Sequence, residues 1–350
     1  MRPPPPAELL LGRPEFAGDL ASTAEWIAGQ RVLITGAAGS VGTPLAKLLS
    51  DAAPERLVLL DHHEYSLFGL ERSLGGSSAI YELADIGDSG RMARVFDEHR
   101  PEIVFHLAAA KHVPYGERFP EGAVATNVLA TADLLELAQH AGVDRFVYPS
   151  SDKSVDPPAL YGGTKRLAEA LVQTYAGDRP WSIVRYVNIV GTRGSVIEVF
   201  ANQILADRPL SVTDERMTRY WISMDEALWS LLQTARCARP GAVLMPDCGE
   251  PVPLMYTARR LAGWYQPDRV PYPIANSGIR PGERLHEVLL SHNETFAEGP
   301  ASGLRLVQTR RPASCLDGLL DAIDELRELV MAGQRAELKQ RCLALAERLQ

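Results

Sequence analysis

Residues 31–42 read Arg31-Val32-Leu33-Ile34-Thr35-Gly36-Ala37-Ala38-Gly39-Ser40-Val41-Gly42, an apolar run that passes straight into three spaced glycines. The run predicts a buried strand, and the residues on to Leu49 predict a helix. Strand, glycine-rich turn and helix in that order make a dinucleotide-binding fingerprint in its GxxGxxG spacing. Gly36 and Gly39 let the backbone turn tightly and approach a pyrophosphate, and Gly42 lets helix and strand pack. Ser40 and Val41 fall at the helix N-terminus that faces the phosphates.

Outward from that turn, Arg56-Leu57-Val58-Leu59-Leu60 predicts a second strand ending at Asp61. A carboxylate about twenty residues beyond the last glycine can accept from both adenosine ribose hydroxyls and would repel a 2′-phosphate. That favours NAD, while His62, His63 and Arg72 nearby leave NADP open. Asp85-Ile86 follows a short strand, where the aspartate either reaches the adenine amino group or caps a helix. Residues 101–107 predict a fourth strand, and Ala108-Ala109-Ala110 close it with side chains small enough for a cofactor to approach. Lys111 and His112 follow at the carboxyl end of that strand, where ligands of doubly wound sheets bind. His112 reads as a substrate contact or as a polar loop residue. Asn127, on a helix predicted over 122–141, either steadies the active-site strands or is a satisfied core amide.

The chemistry points to a second stretch. Arg145-Phe146-Val147-Tyr148 predicts a strand that ends in Ser150-Ser151-Asp152-Lys153, and Tyr161-Gly162-Gly163-Thr164-Lys165 opens a helix predicted over 159–175. Tyr161 and Lys165 are four residues apart and share one helix face. An ammonium beside a phenol favours the phenolate, so the pair can take a proton from a hydroxyl as hydride leaves the same carbon. Ser151 can hydrogen-bond the reacting oxygen. Asp152-Lys153 adds an acid and a base that simple hydride transfer does not need.

Composition narrows the classes. The 350 residues are 46% hydrophobic and 23% charged, as in ordinary soluble proteins. That length suits one large α/β domain with a smaller lobe. A net charge of −8 argues against nucleic-acid or anionic-membrane binding as the main role. The four cysteines, Cys237, Cys248, Cys315 and Cys342, have neither CxxC nor metal-ligand spacing and read as reduced thiols. No metal site is expected. No run approaches the length of a membrane span, and the opening Met1-Arg2-Pro3-Pro4-Pro5-Pro6 does not read as a signal peptide, so a cytoplasmic protein is expected.

With these residues in view, the chain resembles the extended short-chain dehydrogenase/reductases, and within them the polysaccharide-biosynthesis branch of nucleotide-sugar 4,6-dehydratases, which act on UDP-N-acetylglucosamine. The likeness runs through Phe105-His106, Val113-Pro114, Thr126-Asn127-Val128, Ser151-Asp152-Lys153, Gly162-Gly163-Thr164-Lys165-Arg166, Val184-Arg185-Tyr186-Val187-Asn188, Arg193-Gly194-Ser195-Val196-Ile197, Met217-Thr218-Arg219-Tyr220 and Arg280-Pro281-Gly282-Glu283. It implies a Rossmann-like doubly wound parallel sheet with a smaller C-terminal substrate-binding lobe. It also implies a reaction: Tyr161, helped by Lys165 and Ser151, takes the proton of the sugar 4-hydroxyl as hydride leaves C4. Lys153 then removes the C5 proton, a protonated Asp152 helps the 6-hydroxyl depart, and hydride returns to C6. A 4-epimerase or dehydrogenase of the same superfamily is the alternative, and would not need Asp152-Lys153. Longer members often carry methionine where this chain has Tyr161. Ala110, Tyr115-Gly116 and Val187 also depart from the pattern, which leaves the hexose and the C5 stereochemistry open.

Beyond residue 190 the resemblance implies a substrate lobe over 191–311. Asn188, Arg193, Ser195 and Val196 are expected at the nucleotide and diphosphate, with the amide dipoles of a helix over 196–205. Arg219 is the expected diphosphate clamp, because a guanidinium binds phosphate oxygens through a bidentate fork. Arg280 and Glu283 are expected at the diphosphate and ribose. Residues 1–30 read as a packing arm or an oligomer contact. Two apolar stripes beyond residue 312 predict a helical hairpin that covers the domain or joins subunits. A homo-oligomer is expected.

Overall fold

The computed structural model describes residues 3–16, 18–237, 239–269, 271–279, 282–310 and 313–350. Its centre is a nine-stranded sheet. In chain order the strands are β1 (Arg31–Thr35), β2 (Arg56–Asp61), β3 (Ile80–Leu83), β4 (Ile103–His106), β5 (Arg145–Ser151), β6 (Ser182–Tyr186), β7 (Val243–Pro246), β8 (Glu294–Glu298) and β9 (Leu304–Thr309). Across the sheet they lie β8-β9-β7-β6-β5-β4-β1-β2-β3. β9 runs antiparallel to both β7 and β8, and the remaining neighbours are parallel. Helices cover both faces, so Val32 to Thr35 and Leu57 to Asp61 are buried without alternation.

Strand order reverses between β1 and β4, where Thr35 pairs with both Leu60 and His106. Chains leaving a switch point diverge, and the crevice between them opens at the carboxyl ends of the strands. Both glycine turn and alanine run end there.

A second apolar core gathers Ile197, Phe200, Ile204, Trp221, Leu254 and Leu261 into a lobe. Its helices are Val196–Leu205 and Leu254–Tyr265. The boundary expected at 311 differs: β8 and β9 extend the large sheet, because β9 pairs against β7 and β8 pairs in turn against β9. The N-terminal arm joins the lobe, with Leu10 and Leu11 in its core. Arg13 holds both carboxylate oxygens of Glu226, at 2.6 and 3.1 Å, and the carbonyl of Cys248 at 3.1 Å. Helices Leu319–Met331 and Arg335–Arg348 form the C-terminal hairpin. The second packs on the long helix Leu160–Ala176, with Leu343 and Cys342 against Gly163.

The helix over 120–140 is interrupted by a π turn, Ala125–Leu129. Among the described residues, no helix is long and apolar enough to cross a membrane.

Candidate active site

Two connected cavities open at the carboxyl edge of the sheet. One, about 560 Å³, runs from Gly36, Gly39, Ser40 and Gly42 to Ser150 and Lys165. The other, about 580 Å³, lies against the lobe and reaches Arg219, Glu283 and Glu287. Lys111, His112, Lys153, Tyr161, Asn188 and Arg193 line both.

The first cavity fits a dinucleotide. Gly36 has φ +69°, and a Cβ there would lie 2.7 Å from the Ala108 nitrogen; one at Gly42 would lie 2.2 Å from the Gly36 oxygen. Only bare backbone permits these approaches. Ser150, buried on the same wall, has a hydroxyl without a hydrogen-bond partner among the described residues. Ala109 also lines the cavity, while Ala108 packs on Gly36.

Two adenosine-side expectations change. Asp61 accepts from the Ala38 amide at 3.0 Å through Oδ2 and from the His63 amide at 2.9 Å through Oδ1. Its carboxylate braces the glycine turn and the next helix. Asp85 accepts from the Gly87 amide at 2.8 Å in a local turn, and Asp88 caps the following helix instead. Ile86 is buried in the main core.

At the other end, β5 delivers the reactive groups. Ser151 Oγ donates to Asp152 Oδ1 at 2.8 Å and accepts from the Lys153 amide at 3.3 Å. Lys153 Nζ donates to the same Oδ1 at 3.0 Å and lies 3.5 Å from Glu287 Oε1. Burial opposes its charge, but Asp152 and then Glu287 outweigh that and hold Lys153 protonated above the usual lysine range. Asp152, expected as the acid that helps the 6-hydroxyl depart, is enclosed. Its side chain is 0% exposed and absent from the walls of both cavities, because Ser151 and Lys153 lie over Oδ1.

The Tyr161–Lys165 reading changes as well. Burial drives Lys165 down to about 7, with Glu169 opposing, while Nζ donates to Pro149 O at 2.6 Å and sits 4.1 Å from the Tyr148 ring centre. Burial also raises Tyr161, against the pull of the Lys153 charge and a hydrogen bond with Ser151. Desolvation therefore outweighs the ammonium effect expected of Lys165. The positive charge that favours the phenolate comes from Lys153.

Asn127 settles as a brace at the π turn. Its Oδ1 accepts from Ala110 N at 2.8 Å, and its Nδ2 donates to Ala110 O at 2.9 Å and Thr164 Oγ1 at 3.0 Å. One amide thus joins the alanine run to the helix carrying Tyr161. His106, held between Thr35 Oγ1 and Thr131 Oγ1, is lowered by burial and by Lys165 to about 3 and stays neutral.

On the lobe side, Lys111 Nζ donates to Arg193 O at 2.7 Å, and His112 packs under Gly194. Burial lowers both Lys111 and His112 from their ordinary values. Asn188 Nδ2 donates to Tyr220 O at 3.0 Å. Arg193 reaches toward the cofactor side: its guanidinium donates to Ala38 O, and its amide donates to Ser40 Oγ at 3.0 Å. Ser195 and Val196 line the second cavity, but the helix start is already occupied. Ser195 Oγ accepts from Glu198 N at 3.4 Å, and Glu198 accepts from the Gly194 amide. The dipole there meets the chain's own carboxylate before any diphosphate. Arg219 is largely buried, donating to Thr218 O at 2.7 Å and Leu285 O at 3.2 Å, with Nε 3.6 Å from Glu287 Oε1. Glu283 lines the cavity, and Arg280 lies outside the described residues.

Sequence reading missed two carboxylates. Glu287 follows Glu283 by four residues, but nothing in that spacing announces a distant lysine. Glu117 accepts from Leu160 N at 2.8 Å, filling an orphan donor at the start of the Tyr161 helix, and also binds Lys339.

Comparison with known proteins is consistent with this architecture. Residues 32–307 match the family model described as polysaccharide biosynthesis protein. The chain is 35% identical to the probable polysaccharide biosynthesis protein EpsC of Bacillus subtilis over 95% of its own length and 56% of that protein, so it spans little more than half of that relative. It is 31% identical to the UDP-N-acetylglucosamine 4,6-dehydratase (inverting) of Campylobacter jejuni over 76% of this chain and 79% of that one. Among solved structures, Pen from Bacillus thuringiensis superposes with a TM-score of 0.74 at 27% identity, covering 80% of this chain and 88% of its own. The chain therefore belongs to the polysaccharide biosynthesis protein family, within the extended short-chain dehydrogenase/reductases.

Proposed function

We propose that this chain is a nucleotide-sugar 4,6-dehydratase, acting on UDP-N-acetylglucosamine or a related UDP-hexose. The observation that carries the reading is Lys153, on the wall shared by both cavities and 3.0 Å from Asp152. A 4-epimerase or simple dehydrogenase has no use for that pair.

Bound in the first cavity, NAD would accept hydride from the sugar and return it; NADP would serve the same chemistry. Tyr161, as the phenolate that the Lys153 charge favours, receives the 4-hydroxyl proton, with Ser151 and Lys165 beside it. The resulting ketone acidifies the C5–H bond. Lys153 must be neutral to remove that proton, and moving one proton along its bond to Asp152 Oδ1 creates a neutral amine and a neutral carboxyl together. The amine takes the C5 proton. The carboxyl proton reaches the departing 6-oxygen through Ser151 Oγ, at 2.8 Å, and water leaves. As hydride returns to C6, the Lys153 ammonium, its proton exchanged with solvent, protonates C5. Arg219 and Lys111 supply positive charge to the diphosphate, with Glu283 toward the ribose.

The test is incubation with UDP-N-acetylglucosamine, then UDP-glucose, in deuterated water, followed by NMR of the product. A 6-methyl group with deuterium at C5 is expected, without added reductant. Epimerisation at C4 with no water loss, or no conversion of any nucleotide hexose by cofactor-loaded protein, would overturn the reading. Asp152→Asn with Lys153→Met should abolish water loss.

A further inference from the structure

Glu287 supplies Lys153 with a second carboxylate that neither motif announced. Its side chain is 6% exposed, yet it lines the substrate cavity, and a single oxygen, Oε1, lies 3.5 Å from Lys153 Nζ and 3.6 Å from Arg219 Nε. The segment bearing it is held close: Arg219 donates to Leu285 O at 3.2 Å, and Arg284 donates to Val155 O at 3.3 Å, just beyond the Asp152–Ser154 turn. The carboxylate thus reaches the lysine from the lobe, while Asp152 reaches it from the end of β5.

We infer that Glu287 is a positioning residue for the elimination step: it fixes Lys153 Nζ between sheet and lobe and sets the pH above which the Lys153–Asp152 pair loses the one proton it shares. The inference deepens the dehydratase reading and rests on it. Among the described residues, four groups face Lys153. Asp152 shares its turn, Glu287 comes from the lobe segment, Tyr161 from the long helix and Arg219 from the short strand Thr218–Arg219. The two carboxylates favour the ammonium, and Arg219 opposes it. With Asp152 alone the lysine would keep a proton partner but lose its lobe-side anchor. With both, the charge is centred where the two cavities meet.

The decisive comparison is the pH dependence of dehydration in wild type, Glu287→Gln and Glu287→Asp, with NMR titration of the Lys153 side chain in protein labelled at lysine Cε and assigned through Lys153→Arg. Removing a charge from this distance should move the alkaline limb of the rate profile and the lysine titration to lower pH by about one unit, a tenfold larger neutral fraction. Glu287→Asp, which keeps the charge, should move less than half as far. Coincident limbs for wild type and Glu287→Gln, or equal shifts for both variants, overturn the inference. Should Glu287→Gln not fold, an unshifted lysine titration in Glu287→Asp together with wild-type titration at the ordinary lysine value does so. Wild-type protein that dehydrates nothing, while Lys153 still titrates lower in Glu287→Gln, refutes the dehydratase reading and leaves the electrostatic pairing standing.

Discussion

Replacing Glu294 by Gln should cost about 3 kcal/mol at neutral pH, most of which should vanish in acid. Glu294 is a corner of a buried quartet: Oε1 accepts from Arg166 at 3.0 Å and Arg185 at 3.1 Å, and Oε2 accepts from Arg185 at 3.0 Å and the Ser291 amide at 3.1 Å. Glu169 closes it against the same two arginines. Burial raises the Glu294 carboxyl, but Arg185, then Arg166, outweigh it and bring it from 4.5 to about 2. A carboxyl depressed that far contributes about 3 kcal/mol above its unfolded value, and the contribution drains away as pH falls toward the folded one. Removing one partner of a buried pair independently suggests about 3–5 kcal/mol. Urea unfolding of wild type and variant at pH 7 and pH 3 reads the difference directly, with about 1 kcal/mol expected at the lower pH. A neutral-pH loss within about 0.5 kcal/mol, or the same loss at both pH values, would refute the reasoning. The quartet bears on function because Ser154, ending the Asp152 turn, donates to Glu169 at 2.8 Å. Gln350 donates to Ser154 O at 3.1 Å from the other side.

Gly42→Ala, whose Cβ would fall 2.2 Å from the Gly36 oxygen, should lose about 1–3 kcal/mol of stability, and calorimetric titration with NAD should show about tenfold or greater weakening. Tyr161→Phe should slow the first hydride transfer by about 10²–10⁴, measured as build-up of reduced-nicotinamide absorbance in a single turnover, with substrate affinity little changed. Glu117→Ala leaves the Leu160 amide without its partner; a loss of about 1 kcal/mol in thermal melts, with kcat falling more than KM, is expected.

The parallel sheet was legible because residues 32–34 and 57–60 are unbroken apolar runs with a glycine turn between them, and two-sided burial needs no alternation. Tyr161, Lys165 and Lys153 were legible through local spacing, which a helix and a strand end convert directly into proximity. Charge state was not legible. Whether Lys165 or Lys153 carries the proton depends on desolvation and on Glu287, a residue brought in by the lobe from far along the chain. Arg193 was hidden for the same reason: its motif suggested a diphosphate, and only the fold reveals Ala38 O within its reach. Residues 294–309 fell inside the 191–311 span expected as the lobe, because antiparallel addition at a sheet edge leaves no mark on short strands.

The π turn at Ala125–Leu129 amounts to a phase correction in an otherwise regular helix. An α-helix advances about 100° per residue, so one surplus residue rotates everything beyond it by that angle relative to what precedes it. Asn127 sits within the surplus and grips Ala110 on one side and Thr164 on the other. Deleting one residue from this turn would restore regular backbone bonding and strengthen the helix as an isolated object. The same deletion would swing the amide out of reach and uncouple cofactor wall from tyrosine helix, so local regularity and catalytic alignment are here in direct opposition.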